Sequence, residues 1–202
     1  MREDAMNSPV LARENVNLRD RMLFPAVALA SILVAAFTLR SWGWNAAGAH
    51  AAARNTARVS SLWFSLMLAV PGLRRFWNAL TPARATLAFL TAHAIHFATV
   101  TAALIGFDWE RAATRPLRSV IFVAGGAALL VVFGWASLGE VSATKKWISR
   151  VAGALIFLIF LGAFARHPWP ARALVLPLVA GLLLRFTARS TYTDPETCRR
   201  AY

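Results

Sequence analysis

Cysteine is nearly absent from this chain, and acids are scarce: one cysteine and nine aspartates and glutamates among 202 residues. A lone thiol, Cys198, excludes an intramolecular disulfide and any zinc or iron-sulfur site built from several cysteines. It reads as an ordinary thiol of the C-terminal tail. The acids, Glu3, Asp4, Glu14, Asp20, Asp108, Glu110, Glu140, Asp194 and Glu196, all fall outside the long uncharged runs. Such a distribution is expected if those runs lie in hydrocarbon, where an unpaired carboxylate is costly to bury. With no carboxylate or thiolate inside the runs, the shell of a non-haem metal site cannot be completed there.

What the chain does contain is apolar. It is 58% hydrophobic and 15% charged, with a mean hydropathy of +0.52, unlike an ordinary soluble domain. The net charge of +13 comes from 22 Lys and Arg residues placed in short clusters between the runs. They form no basic stripe and no binding motif, so nucleic acid is not the partner they indicate. The lipid bilayer is.

The fold class that follows is all-α: a polytopic transmembrane helix bundle of about six spans. A hydrocarbon core of roughly 30 Å takes about 20 apolar residues in a helix. Residues 22–39 form an uncharged run between Arg21 and Arg40. It reads as a retained first span and not a signal peptide, because a long polar segment precedes it and more apolar runs follow. Residues 59–73 are short, and suffice if Arg58 and Arg74 snorkel. Pro71 lies near the end of that span, where a kink costs least. Residues 85–107 and 119–139 give spans three and four, and 147–165 a fifth with Arg150 snorkelling. The sixth, 169–188, must accommodate Arg172, Pro177 and Arg185; lying in the interface instead, it would move the C-terminus to the other side. The expected organisation is a cytoplasmic segment over 1–21, a transmembrane domain over 22–188 and a cytoplasmic tail over 189–202.

Orientation follows from Lys and Arg in the short loops. On one side lie Arg2, Arg13, Arg19 and Arg21, then Arg74, Arg75 and Arg84, then Lys145, Lys146 and Arg150, then Arg185, Arg189, Arg199 and Arg200. The other side holds Arg40, Arg54, Arg58, Arg111, Arg115, Arg118, Arg166 and Arg172. The bias places both termini in the cytoplasm of a cell whose inner membrane the chain crosses. All eight tryptophans, Trp42, Trp44, Trp63, Trp77, Trp109, Trp135, Trp147 and Trp169, fall near proposed span ends, where an indole buries its ring and keeps its N–H wet.

Val-Ala-Gly recurs at 123–125, 151–153 and 179–181, 28 residues apart each time. Successive helices run in opposite directions, so a shared tripeptide is not a shared packing unit. The expected role is glycines that let helices approach closely.

Chemistry is concentrated in one place. His93 and His96, three apart in span three, share a helical face with Phe89, Val100 and Leu104. Counted from Arg84 at about 1.5 Å per residue, they lie roughly 14 to 18 Å into the membrane. Intramembrane ionisable residues are candidates for function. Two readings stand. In one, neutral imidazoles bond to hydroxyls or carbonyls on neighbouring helices and stabilise the bundle. In the other, His93 and His96 are metal ligands, to the iron of a haem. One helix cannot place both on opposite faces of a single iron, so a second helix must contribute. His50 and His167 are expected in loops on the far side, away from the pair, and Met67 of span two lies near the same depth. A buried methionine in such a helix is more often packing than ligand.

Residues 55–185 resemble the ferric reductase-like transmembrane family, which includes the haem-bearing membrane subunit of the bacterial methionine sulfoxide reductase system. The resemblance rests on Asn55, Thr56, Ala57 and Arg58 opening span two, the basic turn at Arg74 and Arg75, and Thr91 to His96 after Arg84. A glycine-bearing fourth span and Trp147 opening the fifth add to it. It implies a helical bundle in which histidines of the third and fifth core helices clamp b-type haem and pass electrons across the membrane. His93 or His96 matches the first ligand region. After Trp147, where the family places a histidine, this chain has Arg150 and Val151, and towards the end of that helix it has Ala163 and Phe164. The resemblance therefore implies a haem b-binding electron-transfer subunit whose second ligand comes from elsewhere. Its electrons come from a redox partner subunit or a quinol, since no Gly-rich nucleotide motif is present. The alternative is a haem-free membrane scaffold, assembly partner or small-solute carrier on the same fold.

Overall fold

The computed structural model describes residues 18–73, 80–114, 116–138, 142–168 and 171–192. Among them every regular element is helical: α1 (Leu18–Trp42), α2 (Ala46–Leu73), α3 (Pro82–Gly106), α4 (Trp109–Thr114), α5 (Pro116–Ser137), α6 (Ala143–Ala165) and α7 (Val175–Tyr192), with a short 3-10 turn at Ala171–Leu174 before the last. The all-α bundle expected from the sequence is the fold. The segment before Leu18, the Arg74 and Arg75 turn, Trp77, Trp169 and the tail with Cys198 lie outside the described residues.

The helix boundaries have local causes. Gly43 adopts φ of 89°, a left-handed conformation that ends α1 and that a side chain would resist. Asn45 then caps α2, its side-chain oxygen accepting from the Gly48 amide at 3.0 Å. Thr81 caps α3 through the Arg84 amide, with Pro82 at the first helical position, where its missing N–H costs nothing. Ser142 caps α6 through the Lys145 amide.

Among the described residues, three helices are long and apolar enough to cross a membrane: Leu23–Trp42, Pro82–Gly106 and Ala143–Ala165. Large apolar side chains also cover the outside of the bundle, among them Phe37 at 71% exposure and Leu117 and Val131 of α5 at 72% and 70%, around a core of phenylalanines, alanines and partnered hydroxyls. In water so much exposed apolar surface would drive aggregation; against acyl chains it is at home. The architecture is compatible with an integral membrane protein in contact with the bilayer.

α2 is the central helix. It packs against α1, α3 and α7; α5 lies on α3, α6 on α5, and α7 meets α6 and returns to α2, so that α2, α3, α5, α6 and α7 form a ring with α1 outside it. Small residues set the closest approaches. A Cβ on Gly181 of α7 would collide with the backbone carbonyl of Ser65 on α2, and one on Gly72 would meet the Leu184 backbone. The Val-Ala-Gly triplets fall on α5, α6 and α7, yet only Gly181 sits against another backbone; Gly125 faces open space.

α2 departs most from expectation. It starts at Ala46, thirteen residues before the predicted span, so the small-residue segment around His50 is helix and not loop. Trp63 consequently lies in mid-helix, packed on Val27, Ala88 and Ala92, and not at a span end. Hydropathy underrates this stretch because its alanines, serines and threonine are buried in the bundle, the hydroxyls partnered by carbonyls of α2 and by the histidines of α3. The sixth segment also shifts, its α-helix beginning at Val175.

Candidate functional site

The residues carrying chemistry meet inside the ring. Ser60 and Thr56, four apart on α2, face His93 and His96, three apart on the antiparallel α3. Ser60 Oγ lies 2.6 Å from His93 Nδ1, and Thr56 Oγ1 lies 3.2 Å from His96 Nδ1. The Thr56 hydroxyl has one proton, and that proton is directed at its own helix, with the Ala52 and Ala53 carbonyls each 3.0 Å away. The bond therefore holds the Nδ1 edge of His96 against α2 and leaves the Nε2 edge turned away from it. The Ala53 carbonyl adds to the acceptors around that ring. The Ser60 bond runs in either direction, since its hydroxyl proton is not otherwise engaged.

Aromatic rings fix the imidazoles from the other side. His93 lies 5.2 Å from Phe89, 4.8 Å edge-on from Phe97 and 5.5 Å from Phe160, and its centroid is 5.4 Å from that of His96. Phe64, Phe89, Phe133 and Phe160 continue this packing into the hydrophobic core. The two histidines thus share one face of α3, as their spacing requires.

They border a cavity of about 500 Å³ between α2, α3, α5 and α6. Its walls are largely apolar, with Leu129, Leu130, Ile156, Phe160 and Phe164 among them, and Gly125 and Gly126 contribute from α5. No side-chain nitrogen or oxygen among the described residues is buried without a partner. With each Nδ1 committed to α2, the opposite edges of the two rings are the ones that can face the cavity. Arg54 and Arg58 of α2 line the same space, and Arg58 donates to Asn55 Oδ1 at 3.0 Å while the Asn55 amide donates to Thr38 on α1.

His167, expected away from the pair, also lines this cavity, from the turn that follows α6. The sequence signal was present but weak: a histidine two residues past the end of an apolar run. Met67 does not belong here. Ser60 is level with His93, and seven further residues place Met67 about 10 Å towards the other end of the bundle; there it joins the core and lines a different cavity. His50 is committed elsewhere, its Nε2 lying 2.8 Å from Asp108 Oδ2 and linking the start of α2 to the turn after α3. Among the described residues, no three His, Cys, Asp or Glu side chains gather to hold a bare metal ion.

The cavity thus brings together imidazole rings from α3 and from the turn after α6, apolar walls and two guanidinium groups. Compared with protein-family models, with curated proteins and with solved structures, the chain matches none.

Proposed function

We propose that this chain is a ferric reductase-like integral membrane subunit that binds one haem b in the cavity between α2, α3, α5 and α6 and serves electron transfer across the inner membrane. Both termini are cytoplasmic in this reading, and a redox partner subunit or a quinol supplies the electrons. The observation that carries it is the shared cavity: His96 of α3 and His167, from the turn after α6, line the same space.

The chain's own groups have separate tasks. His96 and His167 would hold the haem. Thr56 positions His96 through the hydrogen bond between its hydroxyl and Nδ1. His93 stays on Ser60 and packs against Phe97 and Phe160, keeping water from the cavity floor. Arg54 and Arg58 supply positive charge for carboxylates. Haem, when bound, supplies one-electron redox chemistry.

One observation favours a second reading. Both histidines already have hydroxyl partners on α2, which is what a purely structural pair requires, and a haem-free scaffold, assembly partner or small-solute carrier would keep those bonds. Absorbance separates the two. Protein expressed with haem supplied and purified alone should show a reducible b-type spectrum, abolished by His96→Ala or His167→Ala and retained in His93→Ala. Folded, colourless protein from those cells would defeat the haem reading.

A further inference from the structure

The hairpin of α5 and α6 is closed at one end and open at the other. Near the connection between the helices, Ser137 Oγ lies 2.8 Å from Ser149 Oγ, and four residues further along each helix a Cβ on Gly153 would touch the Phe133 ring at 3.4 Å. Continuing in that antiparallel register brings Gly125 level with Leu161 and Gly162. A glycine on a helix face allows close approach, yet a Cβ added to Gly125 meets nothing within 4 Å among the described residues. Gly125 lines the histidine cavity, so at this level the space between α5 and α6 is the cavity itself.

Here the cavity wall and the outer surface are made by the same residues. Ile121 and Gly125 of α5 and Ile159 and Ala163 of α6 border the cavity, and all four are exposed, Ile121 at 62% and Ile159 at 56%. With the bundle in a bilayer, the cavity opens sideways onto acyl chains. Its polar groups belong to other helices: His93 and His96 to α3, Arg54 and Arg58 to α2. Acyl chains are as apolar as this mouth, so a molecule moving in from the lipid gains little from the walls. What retains it is a hydrogen bond or charge contact with the imidazoles or guanidinium groups.

We propose that the histidine cavity takes its ligand sideways from the bilayer, through the mouth between α5 and α6, and that this ligand is an amphiphile with an apolar body and a polar or acidic end. The inference rests on the cavity and the membrane setting of the reading above. On that reading the amphiphile is haem and the mouth is its way in; the mouth itself belongs to the α5 and α6 hairpin and is tested without haem.

The test uses the full chain, prepared without haem in phosphatidylcholine vesicles, and an adamantyl diazirine dissolved in the bilayer. Light turns this probe into a carbene that inserts where it lies, and peptide mass spectrometry locates the adducts. Ile156, 4% exposed and on the cavity wall, should be labelled, whereas Leu178, at 0% and away from the cavity, should not. Gly125→Phe fills the mouth from α5 and Ala163→Phe from α6; each should bring the Ile156 adduct down to the Leu178 background, and the second decides the matter if the first does not fold. Palmitate, with its acidic end, should protect Ile156 better than hexadecane does. Labelling of Ile156 no higher than that of Leu178 would overturn the proposal, as would labelling that both folded variants leave unchanged, and equal protection by the two competitors would remove the amphiphile from it. Haem added beforehand should also protect Ile156; a labelled Ile156 that palmitate protects and haem does not would uphold the mouth and its amphiphile while defeating haem as the occupant.

Discussion

Adding one methyl group to Gly181 should destabilise the bundle more than adding it to Gly125 or Gly134, the glycines of α5 that face open space or a single flexible side chain. A Cβ at position 181 would run into the Ser65 carbonyl oxygen, with the Ser65 carbonyl carbon and the Leu68 Cβ next, each at 3.3 Å. The nearest of these are backbone atoms of α2, so no flexible side chain can turn aside, and α2 and α7 must separate along a contact that also buries Leu178 completely. Overpacking of this kind costs about 1 to 3 kcal/mol. The same change at Gly125 meets nothing within 4 Å, and removing glycine from a helix interior is worth roughly 0.5 to 1 kcal/mol in the stabilising direction. Gly134→Ala falls between, because the nearest atom is a Leu90 methyl at 3.2 Å that can rotate away. Unfolding of the three variants in mixed micelles, by heat or by added sodium dodecyl sulfate, should rank them Gly125→Ala, Gly134→Ala, Gly181→Ala from most to least stable. Equal stability of Gly181→Ala and Gly125→Ala would mean that α2 and α7 do not pack as described.

Val131→Lys should lower membrane yield, since Val131 is 70% exposed in the middle of an apolar helix and a charge at a helix centre costs roughly 3 kcal/mol on insertion scales. Leu130, one residue earlier, lines the histidine cavity, and a lysine there should be better tolerated; the reverse order on a membrane blot would contradict the assignment of faces. Thr56→Val and Ser60→Ala each remove one bond between α2 and α3 and should cost about 0.6 to 2 kcal/mol, read by the same unfolding assay. If haem is bound, Thr56→Val should also shift its redox potential, whereas a purely structural hydroxyl would change only stability. A cytoplasm-active reporter fused after Tyr202 should be active, and a signal confined to the far side would place α7 on the membrane surface.

Local composition was enough to determine that the chain is helical and apolar. The lengths of uncharged runs, the exclusion of acids from them and the three-residue spacing of His93 and His96 are properties of neighbouring residues, and helix geometry translates them directly. The same logic failed at α2. Residues 46–58 are small and polar, with two arginines, and hydropathy assigns them to a loop; in the helix their hydroxyl, like those of Ser60 and Ser61 after it, is buried and partnered, Thr56 and Ser61 by carbonyls of α2 itself and Thr56 and Ser60 by the histidines of α3. Hydropathy counts a hydroxyl as a cost, while a helix carbonyl or a facing imidazole supplies the partner that removes it. Likewise, nothing local distinguishes Gly181 from Gly125, or tells His167 on the wall of the histidine cavity from His50 bound to Asp108. Those differences come from which helices lie opposite, a choice made by the whole ring of α2, α3, α5, α6 and α7 at once. The sequence by itself determined what each helix is made of; only the tertiary structure decided what each residue faces, because the partners of a buried group lie tens of residues away along the chain.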